Sequence, residues 1–355
     1  MGGAQSLLVE MAPLQSRMGN DVTILQLKKT TDLTLLHKLK DEKVKILSLS
    51  STRSVRNPIN VFTLFPYMRA YDVVHVHLFP AQYWAAFSRW LSFSKIPLIT
   101  TEHSTENKRR KSIVYRFIDN IVYRFGYKKV VACSDKALET FKRVYPKVSA
   151  IAIPNGVNIT KYADAKPYLK QQLLGVPEDT FIVAMVARFE YPKRQDTIIK
   201  AISLLPPNVH VVFVGNKQDD RNYEFCFQLS KELGVKDRVH FIGIRSDVPR
   251  ILQSVDVVIM SSEYEGLSLS SIEGMAARKP FIATNVNGLR EVVGGAGILF
   301  DCGNAKQLAI NIENLKNNEK LYHNIANQCF SRAMEYGIHR MVTCYQKVYD
   351  DYAIK

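Results

Sequence analysis

The sequence predicts an α/β protein made of two doubly wound, parallel-sheet domains. The first observation is length, because 355 residues exceed what one hydrophobic core usually serves. The second is alternation, since short apolar runs and segments of helical period follow each other along the chain. The third is composition: 46% hydrophobic and 23% charged residues are ordinary values for a soluble globular protein.

The first half contains apolar runs that predict strands, with helical patterns between most of them. The predicted strands are 22–25, 44–47, 73–76, 97–100, 130–132 and 150–153. The predicted helices are 33–39, 58–69, 80–93 and 109–125, together with a first helix after Ala4 that has Leu7, Leu8, Met11 and Leu14 on one face. Strands joined through helices run parallel, so these runs predict one parallel sheet. The turn residues Pro154, Asn155 and Gly156 close this half.

The second half repeats the alternation. Its predicted strands are 181–186, 209–214, 239–242, 257–260, 281–284 and 298–300, and its predicted helices are 193–205, 221–234, 304–316, 318–334 and 339–352. We therefore place one domain at 1–158 and the other at 159–338. The C-terminal helix at 339–355 is a candidate for packing back on the first domain.

One stretch of the second half, Asp256 to Pro280, predicts a ligand site. An apolar strand leads into a polar turn that contains Glu265, and a helix that contains Glu273 follows. The amino end of a helix suits an anion, because free N–H groups and the helix dipole both point there. The turn therefore suits a phosphate, and the two carboxylates suit the hydroxyls of a sugar.

The sequence SSEYEGLSLSSIEGMA after this strand closely resembles the donor-sugar motif of retaining glycosyltransferases of family 4. The resemblance is strong over 150–302 and moderate in the first domain. It implies the GT-B fold, with two Rossmann-like domains facing a cleft. It also implies transfer of a sugar from a nucleotide sugar, with a hint of UDP, to a glycan or lipid-linked acceptor, as in cell-surface or capsular polysaccharide synthesis. Attack would come from the face that the diphosphate leaves, without a metal or other cofactor.

The resemblance also assigns catalytic residues. The stretch VARFEYPKRQD is similar to the family's diphosphate clamp, with Arg188 at a strand end and Lys193 before a helix. Fixed cations can stabilise the charge that develops on the leaving diphosphate. His103, in Thr101-Glu102-His103, matches the histidine that faces the donor sugar, and Glu265 would hold hydroxyls of the transferred sugar. His75 and His77, on the strand DVVHVH, are interpreted as structural or supporting residues.

Donor-binding positions follow from the same resemblance, which would place Glu273 on the ribose. The remaining donor-binding residues are Gly3, Gly215, Ile244, Arg245, Gly266, Leu267 and Ser268. Leu267-Ser268 stands where many members have Phe-Gly, which leaves the donor sugar open. In the family, a glycine turn like Gly2-Gly3 follows a first strand, and no apolar run precedes it here. Either the start codon is assigned too late or the first domain lacks that strand, which would expose two neighbouring strand edges.

Net charge is +15, and most of it lies in residues 1–150, which contain 24 Lys or Arg and 11 Asp or Glu. Such a balance fits nucleic acid, anionic lipid or phosphorylated substrates. We favour an anionic membrane, because Lys108 to Lys111 open an apolar helix that also carries tyrosines at 115, 123 and 127. We expect no nucleic acid, since no RNP, KH, zinc or helix-turn-helix signature is present.

Other sequence features bear on the compartment. Five scattered cysteines without a CxxC pair indicate reduced thiols and no metal site. No apolar run is long enough for a transmembrane helix, and no signal peptide opens the chain. We therefore expect a cytoplasmic protein, with peripheral attachment to the inner face of the membrane. Two alternatives remain open: a GT-B protein that binds nucleotide sugar without transfer, and a basic nucleic-acid-binding protein.

Overall fold

The computed structural model describes residues 3–30, 39, 42–103, 112–217 and 220–353. The chain forms two compact units. One consists of Met1–Gly156 together with Ile338–Lys355, and the other is Val157–Gly337. Among the helices of the described ranges, none combines the length and the apolarity that crossing a membrane requires.

The first unit has parallel strands in two separate sheets. Its strands are β1 (Val22–Gln26), β2 (Val44–Ser48), β3 (Val74–His77), β4 (Leu98–Glu102), β5 (Lys129–Ala132) and β6 (Ala150–Ala152). β1 pairs with β2, whereas β3, β4, β5 and β6 form a sheet in that order. No strand joins the two sheets within the described ranges.

Helices cover both faces of these strands. They are α1 (Gly3–Arg17), α2 (Asn60–Thr63), α3 (Ala81–Leu91), α4 (Ile113–Ile121), α5 (Asp135–Val144) and, from the end of the chain, α15 (Ile338–Tyr352). Neighbouring residues of β4 enter different cores: Leu98 packs with the cluster around Tyr123 and Phe141, and Ile99 packs with α1 and α15. The strands are therefore apolar on both faces, as expected for a buried parallel sheet.

The second unit is one fully parallel sheet flanked by helices. Its strands are β7 (Phe181–Val186), β8 (Val209–Val214), β9 (Val239–Phe241), β10 (Val257–Met260), β11 (Phe281–Thr284) and β12 (Ile298–Phe300), in the order β12-β11-β10-β7-β8-β9. Its helices are α6 (Ile159–Ala163), α7 (Lys170–Leu174), α8 (Gln195–Ser203), α9 (Asp220–Glu232), α10 (Val248–Ser254), α11 (Leu269–Ala276), α12 (Leu289–Val293), α13 (Ala305–Asn317) and α14 (Glu319–Glu335). The predicted α/β class with doubly wound parallel sheets is confirmed, but the single sheet predicted for the first half is wrong, because β1 and β2 pair apart from β3 to β6 in the described ranges.

Some predicted helices of the first unit were wrong in extent. The segment 58–69 is not one helix: α2 ends at Thr63, and a 3-10 turn at Phe65–Met68 follows, with Pro66 near its start. Helix α5 was missed, although the Ser134 side chain caps it by accepting from the Ala137 N–H at 3.1 Å. The predicted helix 33–39 lies, except for Leu39, outside the described residues.

The helix predicted at 109–125 also needed correction. In the described part α4 ends at Ile121 and continues as one π-helical turn over Val122–Gly126. Of the three tyrosines expected at a membrane surface, only Tyr115 is exposed, while Tyr123 and Tyr127 are buried. Their hydroxyls donate inward, to Glu102 and to the Gln82 carbonyl, at 2.5 and 2.6 Å. The predicted basic stretch 108–111 lies outside the described residues.

Candidate active site

The candidate site lies at the carboxyl ends of β7 and β10. These strands are neighbours, but the chain continues from β7 to β8 on one side and from β10 to β11 on the other. In a doubly wound sheet, loops that leave adjacent strands toward opposite sides open a crevice where ligands bind. The loop after β7 carries Arg188 and Lys193, and the loop after β10 carries Glu265. Topology therefore brings the predicted clamp and the predicted sugar-binding turn to one place.

The two loops are joined by an ion pair. Lys193 Nζ lies 2.6 Å from Glu265 Oε1, and both side chains are largely shielded, with 16% and 12% of their surface exposed. The Ser262 hydroxyl donates to the same Glu265 oxygen at 2.7 Å. The Ser261 hydroxyl donates to the carbonyls of Lys193 and Arg194, each at 2.9 Å. A cation and an acceptor are thus held at fixed positions beside the strand ends.

Helix α11 starts where the Glu265 turn ends. The Ser268 side chain caps it by accepting from the Ser271 N–H at 3.3 Å, as an N-cap serine does. Gly274 lets the helix lie close to the sheet, because a Cβ there would meet the Phe281 ring at 2.6 Å. This packing fixes Glu273, one residue earlier, on the first turns of the helix.

Two glycines let neighbouring backbone segments approach this site closely. A Cβ on Gly288, whose φ is +83°, would lie 2.1 Å from the Gly266 carbonyl oxygen. A Cβ on Gly215 would lie 1.9 Å from the carbonyl oxygen of Ala187. Only glycine fits these positions, so the turn at Gly266 and the loop at Arg188 each rest on a close backbone neighbour.

A second charged network surrounds the pair. Arg194 contacts Glu263 at 2.6 Å and Asp196 at 2.9 Å, and Lys200 contacts the same Asp196 at 2.9 Å. The Tyr191 hydroxyl donates to Glu263. Hydrogen bonds from Tyr191 and Arg194 lower the pKa of Glu263. These contacts tie the loop after β7 to the loop after β10 a second time.

Arg188, predicted to be catalytic, and Arg245 and Ile244, predicted to bind the donor, follow strands of the same sheet but have other surroundings. Arg188 contacts Glu190 at 2.7 Å, and 56% of its side chain is exposed. Arg245, after β9, donates to Asp247 at 2.8 and 2.6 Å, and these bonds hold the pKa of Asp247 well below its usual range. Ile244 is exposed. The structure therefore pairs Lys193 with Glu265 directly, whereas the guanidinium groups of Arg188 and Arg245 contact other carboxylates.

His103 and Gly3 belong to the first unit. His103 follows β4, and its Nε2 lies 3.0 Å from Nδ1 of His77, so one of these nitrogens donates to the other. Burial lowers the pKa of His103 to about 4, although the charge of Glu102 raises it. His103 is therefore a neutral imidazole near pH 7. Gly3 is the first residue of α1.

Several contributors were missed by sequence reasoning. Ser262 and Gly288 support the Glu265 turn, and His77 contacts His103 although it was interpreted only as a structural or supporting residue. The signal for Ser262 was present, because a serine pair directly precedes the acidic turn. The sequence held no signal for Gly288, which lies 22 residues beyond Gly266 along the chain.

Known families match both units. Residues 169–332 match the family model described as Glycosyl transferases group 1, and residues 1–161 match the model of Glycosyltransferase Family 4. Two doubly wound units with an ion-paired crevice at a strand switch point define a protein of the GT-B class, as predicted. Together the two matches support a glycosyltransferase of group 1 and family 4, as the motif predicted.

Curated relatives share part of their length with this chain. The EpsD protein of Bacillus subtilis (strain 168) is 32% identical over 205 residues, which are 56% of this chain and 53% of EpsD. The UDP-Gal:alpha-D-GlcNAc-diphosphoundecaprenol alpha-1,3-galactosyltransferase of Escherichia coli is 26% identical over 255 residues, or 68% of this chain and 64% of that enzyme. The match thus spans less than two thirds of either relative.

Solved structures share the fold over nearly the whole chain. Anabaena HepE in complex with UDP has a TM-score of 0.84 at 21% identity, covering 99% of this chain and 96% of that one. The complex of HepE with UDP-glucose has a TM-score of 0.83 at 20% identity and the same coverage.

Proposed function

We propose that this protein transfers a sugar from a nucleotide sugar, most simply a UDP-sugar, to a lipid-linked or glycan acceptor. The observation that carries the proposal is the Lys193–Glu265 pair at the switch point between β7 and β10. Relatives support the substrate class, because one is named for UDP-Gal and a diphosphoundecaprenol acceptor, and HepE was solved with UDP-glucose. The product would serve cell-surface or capsular polysaccharide synthesis.

The chemistry follows from the charges. A departing nucleoside diphosphate gains negative charge, and Lys193 with Arg188 supplies fixed cations for it. The amino ends of α8 and α11 add N–H groups that favour anions. Because Lys193 already neutralises Glu265, a bound diphosphate would share this cation and leave Glu265 free to accept bonds from sugar hydroxyls. Glu273 on α11 would accept bonds from the ribose.

We assign the reaction to the retaining class, with the acceptor attacking the face that the diphosphate leaves. The bond from the anomeric carbon to the phosphate oxygen breaks, the bond to the acceptor oxygen forms, and the acceptor proton moves to the departing phosphate. His103, neutral near pH 7, would face the donor sugar as a hydrogen-bonding partner. Gly215, Ile244, Arg245 and the 266–268 backbone complete the donor site, and Gly3 would approach the phosphates or the acceptor.

Donor binding tests the site. Lys193→Ala removes the diphosphate cation and Glu273→Ala removes the ribose acceptor, so each is expected to abolish most of the thermal shift that a matching donor produces. A panel of UDP-, GDP- and ADP-sugars identifies the donor. Lys306→Ala, an exposed lysine on α13, is the matched control and should retain the shift. An unchanged donor affinity in either site variant would contradict the clamp, whereas binding without transfer would favour the non-transferring alternative.

Transfer is expected to need no divalent metal. The reason is that Arg188 and Lys193 can neutralise the diphosphate, and no Asp-x-Asp pair follows a strand near the site. Activity measured with excess EDTA should equal activity with added Mg²⁺ or Mn²⁺. Activity lost in EDTA and restored by Mn²⁺ would refute this part of the proposal.

A further inference from the structure

Four cations lie at the carboxyl ends of two neighbouring strands of the first unit. Lys28 and Lys29 follow β1, and Arg53 and Arg56 follow β2. Because β1 and β2 are paired in parallel up to their last residues, both loops leave the same edge of this sheet. That edge is where ligands bind in α/β sheets. We name Lys28, Lys29, Arg53 and Arg56 the cationic patch.

A serine connects the two loops that carry the cationic patch. The Ser50 carbonyl accepts from the Lys29 N–H at 2.8 Å, and the Ser50 hydroxyl accepts from the Arg53 N–H at 2.9 Å. The buried Asn60 amide donates to the Val55 carbonyl at 3.2 Å and so holds the rest of the loop after β2. The fold therefore fixes the backbone from which these cations project.

The cationic patch carries positive charge that the described residues do not balance. None of its four cations forms an ion pair with a carboxylate of the described ranges. Along the chain, no Asp or Glu occurs between Glu42 and Asp72. Several unpaired cations in one place attract a ligand with more than one negative charge. A diphosphate is such a ligand, and its oxygens suit the paired N–H donors of arginine.

The cationic patch borders exposed apolar side chains. These are Val55, in the loop after β2, and Ile59 and Phe62. Ile59 and Phe62 are three residues apart at α2, which places them on one side of this helix. Arg53 lies against the same helix, with its Nη1 3.4 Å from the Asn60 side-chain oxygen. A ligand held by the patch can therefore also cover an apolar surface.

We propose that this surface binds a lipid diphosphate, with the diphosphate on the cationic patch and the start of the apolar chain on Val55, Ile59 and Phe62. The inference rests on the proposed function and narrows its acceptor. A lipid-linked diphosphate supplies both the charge and the chain that the surface complements, whereas a free glycan supplies neither. The site thus selects the lipid-linked class of acceptor.

Farnesyl diphosphate, an apolar chain that ends in a diphosphate, is the probe for this site. Both tryptophans, Trp84 and Trp90, lie in the first unit, so tryptophan fluorescence follows that unit alone. The Trp84 indole N–H donates to the Val55 carbonyl at 2.8 Å, so its emission responds to changes in the loop after β2. We expect saturable binding, at least tenfold tighter than that of inorganic pyrophosphate, which lacks the chain, or of farnesyl monophosphate, which lacks one phosphate. High salt should weaken the binding.

Substitutions in the surface locate the probe. Arg53→Gln combined with Arg56→Gln should weaken binding of farnesyl diphosphate at least tenfold. Lys142→Gln combined with Lys147→Gln, at two exposed lysines of the same unit, is the matched control, because it removes the same charge and should leave binding normal. Phe62→Ser should weaken binding of farnesyl diphosphate but not of pyrophosphate, because only the former has a chain.

Four results would overturn the proposal. The first is no saturable binding at low salt, and the second is equal binding by the double arginine variant and its lysine control. The third is displacement of the probe by phosphatidylglycerol vesicles, which would assign the cationic patch to membrane headgroups. The fourth is loss of probe binding in Lys193→Ala, which would place the probe in the donor site of the second unit.

The donor thermal shift keeps this site separate from the proposed function. A chain that binds farnesyl diphosphate through the cationic patch but binds no nucleotide sugar would support this site and contradict the proposed function. A chain that binds a nucleotide sugar but not the probe would contradict only the lipid diphosphate site.

Discussion

Single residues of this protein act through the charges beside them. Lys193 and Glu265 neutralise each other at 2.6 Å in a largely shielded site, so replacing one leaves the other with an unmatched charge. His103 differs, because within the described ranges its hydrogen-bonded side-chain partner is another imidazole, that of His77. That contact uses Nε2, and the buried Nδ1 atom of His103 has no hydrogen-bond partner in the described ranges. The second unit thus holds a strongly paired cation, and the first unit holds an uncharged imidazole ring.

Three neighbouring histidines of the first unit, His75, His77 and His103, predict that the folded unit loses stability in acid. Burial, and then the charge of His103, lower the pKa of His75 to about 3, and burial lowers the pKa of His77 well below its usual range. Because these folded values lie below the ordinary 6.5, the unfolded chain binds more protons. The contribution of these histidines to the free energy of unfolding is therefore fully present above pH 6.5. It is lost progressively as pH falls toward 4, by up to ~1.4 kcal/mol per pH unit for each histidine.

The measurement is the midpoint of tryptophan-detected unfolding between pH 7.5 and 4. The wild-type midpoint should fall across this range, and His77→Asn should flatten the fall because one buried imidazole is gone. His323→Asn, on an exposed histidine of α14, should leave the pH dependence unchanged. A wild-type unfolding midpoint that stays level from pH 7 to pH 5 would show that burial does not keep these histidines from taking up protons.

At the scale of elements, burial decided what the sequence could predict. All four residues of β10 and all four of β11 are buried, and both strands were predicted to the residue. Helix α5 was missed because, of its ten residues, only Ala137 and Phe141 are buried, which is too few for a clear apolar stripe.

The candidate site likewise has residues that the sequence could predict and contacts that it could not. Lys193 and Glu265 could be predicted, because each stands in a loop directly after a buried strand. Their ion pair and the contact of Gly288 with Gly266 could not, since they join residues far apart in sequence, and only the folded sheet order brings them together.

The contact between Gly288 and the Glu265 turn predicts a loss of donor binding at a distance from the donor. Gly288→Ala would place a methyl group 2.1 Å from the Gly266 carbonyl, so the turn must shift. We expect the apparent donor affinity, measured by thermal shift, to fall at least tenfold. The positive φ should also lower the free energy of unfolding by ~1–2 kcal/mol. Gly234→Ala is the matched control, because its φ is +68° and nothing lies within 4 Å of the added Cβ. Equal donor affinity in the two variants would contradict a support role for Gly288.

At the scale of the whole molecule, charge and exposed apolar surface coincide on the first unit. Residues 1–150 contain 24 of the 48 Lys and Arg residues but only 11 of the 33 acidic ones. Helix α4 exposes 81% of Ile113, 67% of Val114 and 67% of Phe117, while its inner side packs Ile118 and the buried Asp119. Exposed apolar residues on a basic body are typical of a helix that lies on an anionic membrane. The alternative of a helix packed wholly into the core does not hold for these three residues.

We predict that this surface attaches the protein to anionic bilayers, where a lipid-linked acceptor would be found. Each Lys or Arg near such a surface adds about 1 kcal/mol, and inserted apolar side chains add more. Co-sedimentation with phosphatidylglycerol vesicles should be strong at low salt and weaker at high salt.

Phe117→Asp should reduce this co-sedimentation at least tenfold without unfolding the exposed helix, and neutralising the cluster at 108–111 should reduce its salt dependence. Phe225→Asp, an exposed phenylalanine of the second unit, serves as the control and should bind normally. Equal binding to neutral phosphatidylcholine vesicles, or no binding at low salt, would refute the attachment, and normal binding by Phe117→Asp would move the surface away from α4.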